Sequence, residues 1–329
     1  MTTFDSIKTS IAPDLQRLNT LIRRRLATDN TLMSTVIDSF LTTKGKQIRP
    51  IVVMLCARLA GGISDKVLDA AASVELLHNA SLIHDDVIDE SKLRRNQPTL
   101  NAVWDNHIAV LVGDYFVSTA LQLAIATADL RIVDEIGRLG RMLSLGEIDQ
   151  IYNAREHSLT EEAYFRIIGY KTASLFVACA RVGCYASGAS AETVEALSQI
   201  AELLGLCFQI RDDIFDYYDT GDIGKPTGND LREGKITLPL LHVLLDGEAP
   251  DHESMNAIAA REQLTDADIA TLYAYARNCG GIDYAYSVMS DLRCRAAAIA
   301  DSMPASGNGQ PSAAELLMPI FDYIIARTN

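Results

Sequence analysis

The sequence lacks the features that mark several large classes of protein. Its 29 Lys and Arg residues stand against 43 Asp and Glu residues, so it lacks the basic surplus expected of a nucleic-acid binder. Its six cysteines include no Cys-x-x-Cys pair, which speaks against a disulfide framework and a zinc site. A basic-then-apolar leader and uninterrupted apolar runs of about 18 residues are also absent. We therefore expect a cytoplasmic protein with no nucleic-acid partner and no integral membrane segment.

Strand signals are scarce as well, and the dominant period of the chain is helical. Phe4, Ile7 and Ile11 recur at the spacing of an amphipathic helix. Residues 64–90 are apolar on nearly every face, which is typical of a helix surrounded by other helices. Further helices are predicted at 107–128, 131–153, 160–187, 191–219 and 236–246. Because no linker-like stretch separates them, the sequence predicts a single all-α domain over residues 1–329.

Two acidic clusters of the form DDxxD interrupt these apolar segments. The first contains Asp85, Asp86 and Asp89, and the second contains Asp212, Asp213 and Asp216. On a helix, the first and last aspartates of such a cluster share one face, where their charges repel. Mg²⁺ resolves this conflict, since it binds carboxylates together with water and phosphate oxygens. A solvated helix face is the alternative, but the apolar neighbours of both clusters favour a metal site.

Basic residues occur near both clusters. They are Lys46, Arg49, Arg94, Arg95, Lys171, Lys225 and Lys235. Arginine offers phosphate a bidentate fork and lysine a point charge, although each residue alone could be an ordinary surface charge. Together with the acidic clusters, they predict a magnesium-dependent enzyme that acts on a phosphorylated substrate inside a helical bundle.

Seven motifs follow one another along the chain. They are GKQIRP, ELLHNASLIHDDVIDESKLRR, VLVGDYF, GEIDQ, YKTASLF, FQIRDDIFDYYDTGDIGKPTGNDLREGKITLPL and GGIDYA. In these motifs and in their order the chain resembles the trans-isoprenyl (polyprenyl) diphosphate synthases, and most of all their long-chain octaprenyl type. The chain departs from the family at Asn96, where a glycine is usual, and at Arg211, an extra positive charge with no assigned role. The resemblance implies a helical bundle of the isoprenoid synthase type around a central cavity, and a homodimer.

The resemblance also implies roles for individual residues. Asp85, Asp86 and Asp89 would hold two Mg²⁺ against an allylic diphosphate, and Asp212, Asp213 and Asp216 would hold a third. The same diphosphate would be contacted by Arg94, Lys171, Thr172, Gln209, Lys225 and Lys235. A separate, metal-free site for isopentenyl diphosphate would consist of Lys46, Arg49, His78 and Arg95. The residues expected to be catalytic are Asp85, Asp86, Asp89, Arg94, Lys171, Asp212 and Lys225. Mn²⁺ suits the same oxygen ligands as Mg²⁺.

The implied reaction is ionisation of the allylic substrate, condensation and elimination, with farnesyl diphosphate as the expected primer. In the family, bulky side chains four and five positions before the first aspartate stop chain growth. Ser81 and Ala80 stand there and are small. We therefore predict a long all-trans product, around octaprenyl, that is released near a membrane. A shorter geranylgeranyl product is the alternative.

Three alternative functions were compared with the prenyl synthase prediction. A terpene cyclase or a head-to-head synthase would not need the GKxxRP and ELLH elements. His84 followed by Asp85 is similar to the metal-binding pair of a phosphohydrolase, but that site needs further grouped histidines. A non-catalytic regulatory subunit would have lost its acidic motifs, and both are complete here.

Overall fold

The protein is described here by a computed structural model. The described residues are 3–42, 47–94, 97–156, 160–218, 228–261, 263–304 and 311–327. Within them the predicted all-α class is confirmed. The helices up to residue 126 are α1 (Phe4–Ser10), α2 (Ala12–Leu26), α3 (Thr31–Thr42), α4 (Ile48–Ala60), α5 (Asp65–Ile88), α6 (Leu100–Val103) and α7 (Asn106–Ala126).

The remaining helices follow the same pattern. They are α8 (Leu130–Glu156), α9 (Glu161–Ile168), α10 (Ser174–Ser187), α11 (Ala191–Asp216), α12 (Asn229–Arg232), α13 (Leu238–Leu245), α14 (His252–Ala259), α15 (Asp266–Asn278), α16 (Gly281–Ser302) and α17 (Ala313–Ala326). A π-helical turn, Gly169–Ala173, joins α9 to α10. The two strands, β1 (Leu93–Arg94) and β2 (Gln97–Pro98), pair antiparallel, with Arg94 opposite Gln97.

The chain forms two compact units. The first unit comprises Met1–Arg141, Leu175–Ala201 and Ile299–Ile320. The second unit comprises Met142–Ser174, Glu202–Ala298 and Phe321–Asn329. Several long helices, such as α8 and α11, therefore contribute one part to each unit. The single domain expected from the sequence stays a prediction.

Helix α5 is the centre of the first unit. Ser64 is its N-cap, and the Ser64 side chain accepts a hydrogen bond from the backbone N–H of Val67. Along its length it packs against α2, α4 and α7. Ser73, which is fully buried, donates to the carbonyl oxygen of Ala120 at 2.8 Å and so ties α5 to α7. The apolar pattern of residues 64–90 predicted a helix surrounded by other helices, and these contacts confirm that prediction.

In the second unit, α13, α14 and α15 pack against one another, and α9 packs against α13. Helix α16 starts where the chain passes close to α13, since a Cβ on Gly281 would lie 2.0 Å from the carbonyl oxygen of Pro239. Only a glycine permits this approach. It is the second glycine of the GGIDYA motif, which therefore has a packing role.

Two features differ from the sequence-based expectations. The hairpin of β1 and β2 was not predicted, because two residues per strand are too few to produce an alternating pattern. By length and composition alone, two helical stretches, Asn106–Ala126 and Glu161–Ser187, are apolar enough to cross a membrane. Over the tested windows they are 44% and 61% buried within the protein, and two such helices are weak evidence for a membrane span, because core helices pass the same test.

Candidate active site

The first acidic cluster lies at the carboxyl end of α5. Asp85 and Asp86 belong to its last turn, and Asp89 follows it directly, with its N–H donating to the carbonyl oxygen of Asp85 at 2.8 Å. This end of a helix carries a partial negative charge. The helix thus adds to the repulsion among the carboxylates, and the arrangement favours a cation.

Arg94 forms an ion pair with Asp86. Its Nε is 2.8 Å from Oδ1 and 3.0 Å from Oδ2 of Asp86, and its Nη2 is 2.8 Å from Oδ1. Asn101 supports the same residue by donating to the backbone carbonyl of Asp86 at 3.1 Å. The short hairpin presents Arg94 to the helix end, so a predicted metal ligand and a predicted diphosphate contact are neighbours.

His84 points to α7 and not to other histidines. Its Nε2 lies 3.2 Å from the carbonyl oxygen of Val110 and 3.6 Å from Oδ1 of Asp114. Among the described residues, no group of three or more His, Cys, Asp or Glu side chains is arranged to hold a metal ion as it stands. No further histidine therefore supports the phosphohydrolase reading in the described part of the chain.

The second acidic cluster occupies the last turn of α11, in the second unit. Asp213 is 4% exposed and accepts hydrogen bonds from Tyr164 Oη at 2.6 Å and from Gln209 Nε2 at 2.8 Å. Burial, followed by the nearby charge of Asp230, raises the pKa of Asp213 to about 8. A carboxyl group with such a pKa is held in a site that disfavours bare negative charge, which a bound cation would compensate.

The other two aspartates of this cluster also have protein partners. Asp216 accepts from the hydroxyl of Tyr273 and, at 3.3 Å, from the backbone N–H of Asp230. Asp212 forms an ion pair with Arg327, the residue after α17. Tyr164, Tyr273 and Arg327 were not predicted, because nothing in their local sequence marks them and only the fold brings them to the cluster.

The predicted contacts Lys171 and Thr172 lie on the π-helical turn Gly169–Ala173, a type of distortion that is frequent at functional sites. Lys171 Nζ is 2.5 Å from Oε2 of Glu147 and 3.3 Å from Oε1 of Gln150, two residues of the GEIDQ motif. Thr172 donates to Gln209 Oε1 at 2.6 Å. Because Gln209 in turn donates to Asp213, the turn is connected to the second acidic cluster.

Of the remaining predicted diphosphate contacts, three lie within the described residues and three lie outside them. Arg49 is half-buried at the start of α4, and His78 is 6% exposed on α5, a helix that packs against α4. Lys235 is half-buried, with its Nζ 2.5 Å from Oε2 of Glu233. Lys46, Arg95 and Lys225 lie outside the described residues.

The two residues predicted to control product length lie before the first cluster on α5. Ala80 is fully buried, whereas Ser81 is half-buried and donates to the carbonyl oxygen of His78 at 2.9 Å. The hydroxyl of Ser81 is thus bonded to its own helix, one turn before Asp85.

The acidic clusters suit a hard divalent cation by the chemistry of their donors. Each offers carboxylate oxygens on the last turn of a long helix, where the helix end is itself negative. Basic side chains accompany each of them: Arg94 in the first unit, Lys171 in the second. Carboxylate oxygens with basic side chains beside them fit Mg²⁺ held together with a phosphorylated substrate.

Comparison with known proteins gives one consistent result. The family model for polyprenyl synthetase matches residues 30–276. The octaprenyl diphosphate synthase of Escherichia coli (strain K12) is 36% identical over 252 residues, which cover 76% of this chain and 78% of that relative. A solved polyprenyl synthase from Caulobacter crescentus CB15, complexed with calcium and isoprenyl diphosphate, has a TM-score of 0.90 at 32% identity and covers 100% of this chain and 99% of its own.

Other relatives differ in the product that they are named for. A geranylgeranyl pyrophosphate synthase from Bacteroides thetaiotaomicron has a TM-score of 0.82 at 36% identity, with 98% of both chains covered. Further matches are named heptaprenyl, nonaprenyl or decaprenyl diphosphate synthases. The similarity thus extends to the reaction class and to the all-α fold, but it is shared by enzymes with short and long products.

Proposed function

The chain belongs to the polyprenyl synthetase family and is a trans-prenyltransferase, and we propose that it extends farnesyl diphosphate with isopentenyl diphosphate to a long all-trans product, around octaprenyl diphosphate. The observation that carries the proposal is the pair of complete DDxxD clusters, each on the carboxyl-terminal turn of a long helix with basic side chains close by. Both clusters are complete in this chain, whereas a non-catalytic regulatory subunit would have lost them.

In this proposal the chain's own residues hold the two diphosphates. Arg94, Lys171, Thr172, Gln209, Lys225 and Lys235 bind the diphosphate of the allylic substrate. Lys46, Arg49, His78 and Arg95 bind the diphosphate of isopentenyl diphosphate. The aspartates of both clusters hold three Mg²⁺, with Mn²⁺ as a substitute. When bound, these ions neutralise the negative charge that develops on the departing diphosphate.

The bond changes need no protein nucleophile. The C–O bond of the allylic diphosphate breaks and its electron pair leaves with the diphosphate. The isopentenyl double bond attacks the resulting carbocation, and the departed diphosphate takes up the proton that is lost. The protein therefore has to orient two substrates and to stabilise charge, which are tasks for fixed basic groups in a dry site.

The long product is proposed from the residues that precede Asp85. Ala80 and Ser81 present no bulky side chain one turn before the cluster, so a growing isoprenoid meets no obstacle there. Ser81, which is half-buried and bonded to its own helix, is the better of the two positions for a blocking side chain. Ala80 is fully buried, so a larger side chain there would have to displace its neighbours.

A second copy of the chain is the proposed partner, through one face of α7. Large apolar side chains on this helix remain exposed, notably Leu111 at 63%, Leu121 at 44% and Ile125 at 58%. Asp114 is the helix's single acidic or basic residue apart from His107. A stripe of this kind is typical of a protein interface, and a twofold axis lets the same stripe cover itself.

We also propose that the enzyme works in the cytoplasm and that its oily product leaves near a membrane. Cys56, Cys179, Cys184 and Cys207 are free and buried, as expected where thiols stay reduced.

The test uses the purified chain with Mg²⁺, labelled isopentenyl diphosphate and farnesyl diphosphate, and sizes the products by chromatography. We expect a ladder ending well beyond geranylgeranyl diphosphate. Asp85→Ala should lower turnover at least about 100-fold, because charge stabilisation is lost, while the helical circular dichroism spectrum is retained. Asp65→Ala, the same change at the exposed start of α5, is the matched control and should retain activity.

The outcomes separate the alternatives. A ladder that stops at geranylgeranyl diphosphate would keep the reaction and refute the long product. Diphosphate release without isopentenyl diphosphate would favour a phosphohydrolase. A folded chain that incorporates nothing in the presence of metal would favour the regulatory subunit.

A further inference from the structure

Arg211, the residue before the second acidic cluster, holds the backbone of Arg327. Its Nε donates to the carbonyl oxygen of Arg327 at 3.0 Å, and its Nη2 donates to the same oxygen. Its third nitrogen, Nη1, donates to the hydroxyl of Tyr286. Arg211 is 5% exposed, and its guanidinium lies 4.6 Å from the ring centroid of Phe215. No carboxylate among the described residues forms an ion pair with Arg211. Its guanidinium instead holds the backbone carbonyl of Arg327 in place.

The side chain of Arg327 then returns to the cluster. Its Nη2 donates to Oδ1 of Asp212, and its guanidinium lies 5.1 Å from the ring centroid of Phe208 and 4.8 Å from that of Phe215. The side chain is 11% exposed. Its Nε is buried and has no hydrogen-bond partner within the described part of the chain. Arg327 is therefore fixed at both its carbonyl and its guanidinium, but one of its donors is left unsatisfied.

This arrangement conflicts with loading of the cluster by a cation. A divalent ion bound by Asp212 would lie close to the guanidinium, and two positive charges beside the same carboxylate repel each other. The unsatisfied Nε makes the ion pair less favourable than a fully bonded one. Asp212 can hold either partner well, but not both.

We propose that Arg327 is a built-in counter-charge that holds Asp212 in the metal-free enzyme and is displaced when the second cluster takes up its divalent cation. The proposal rests on the proposed function, since it takes Asp212 as a metal ligand. It gives Arg211 a role as the residue that keeps Arg327 within reach. By linkage, removal of the Arg327 side chain from Asp212 tightens binding of the ion, and the bound ion in turn releases that side chain.

The experiment measures metal binding at the second cluster alone. The first cluster is silenced by Asp85→Asn and Asp89→Asn, and Mn²⁺ is titrated in the presence of inorganic diphosphate, with free Mn²⁺ followed by electron paramagnetic resonance. In this background Arg327→Gln should lower the Kd for Mn²⁺ by about 5- to 20-fold, the usual size of such a coupling. Arg327→Lys, which retains the charge, should lie between Arg327→Gln and the parent.

The matched control is Arg295→Gln. Arg295 is 62% exposed on α16 in the same unit and pairs with Asp291 at 3.6 Å, so its loss changes the net charge equally without touching the cluster. Its Kd should equal that of the parent. Thermal unfolding gives a second readout. In EDTA, Arg327→Gln should melt a few degrees lower, roughly 2–4 °C, and Mn²⁺ with diphosphate should restore more stability to it than to the parent.

The results distinguish two failures. An equal or weaker affinity for Mn²⁺ in Arg327→Gln would overturn the counter-charge while leaving the metal site intact. Loss of Mn²⁺ binding from the second cluster in every variant, including the control, would refute the metal assignment of the proposed function and the inference with it.

Discussion

Gly146 of α8 lies against the backbone of Lys171, so closely that a Cβ on Gly146 would be 2.8 Å from the amide nitrogen of Lys171. The next residue, Glu147, pairs with the amine of the same lysine. The glycine thus lets α8 approach the π-helical turn, and the glutamate and Gln150 then orient Lys171. These contacts explain the GEIDQ motif as the support of Lys171, a residue that we propose to bind diphosphate.

Gly146→Ala is expected to displace this turn. The new methyl group would meet backbone atoms, which cannot rotate away, so the cost in unfolding free energy should be about 1–3 kcal/mol. Movement of Lys171 and Thr172 should lower kcat/KM about 10- to 100-fold. Steady-state kinetics with farnesyl diphosphate and chemical denaturation provide the two measurements.

Gly137→Ala is the control on the same helix. A Cβ at Gly137 would meet nothing within 4 Å, so this change should stabilise the helix by about 0.5–1 kcal/mol and leave activity intact. Full activity in Gly146→Ala would show that the close approach to Lys171 is unimportant for substrate binding.

Tyr164→Phe tests the orientation of Asp213. Removal of the hydroxyl that donates to this buried carboxyl should weaken metal activation, since loss of a hydrogen bond to a metal ligand typically costs about 10- to 100-fold. The measurement is the Mg²⁺ concentration required for half-maximal activity. Tyr284→Phe, which removes a similar bond to Glu161 at 3.0 Å, should leave that concentration unchanged. Equal behaviour of the two variants would contradict a role for Tyr164.

Ser81→Phe is expected to shorten the product. An aromatic ring one helical turn, about 5.4 Å, before Asp85 would stand in the path of the growing chain. Chromatography should show the product ladder ending near geranylgeranyl diphosphate, with the first condensation still active. Ala80→Tyr should act in the same direction but destabilise the fold, because Ala80 is fully buried. An unchanged ladder in Ser81→Phe would place the path of the chain elsewhere.

Leu121→Glu together with Ile125→Glu should convert a dimer to a monomer. Both side chains belong to the exposed stripe of α7, and a twofold interface would then bury two carboxylates from each copy with no opposite charge to compensate them. Sedimentation velocity measures the change. Leu245→Glu, at a position 48% exposed on α13, is the control and should not alter the sedimentation coefficient. A monomeric parent chain would refute the proposed partner.

The parts of the site that the sequence predicts are those whose signal is local. The DDxxD spacing places Asp85 and Asp89 within one turn, and the structure has them at the end of α5. The pairing of Asp86 with Arg94 was not predicted, although both residues were, because a hairpin with two-residue strands decides it. Tyr164 and Arg327 were not predicted at all, since both are distant in sequence from the aspartates that they contact.

By itself, the sequence determined that the chain is all-α, that it carries two acidic clusters with basic companions, and that small residues precede the first cluster. These properties follow from periodicity and from spacing within one helix, where rigid geometry converts sequence distance into spatial distance. The tertiary structure alone decided which partners the carboxylates have: Arg94 for Asp86, Arg327 for Asp212 and Tyr164 for Asp213. The reason is physical. An unpaired buried charge is costly, so buried carboxylates are paired in the folded protein. The partner is whichever residue the packing places beside them, and that residue can be distant along the chain.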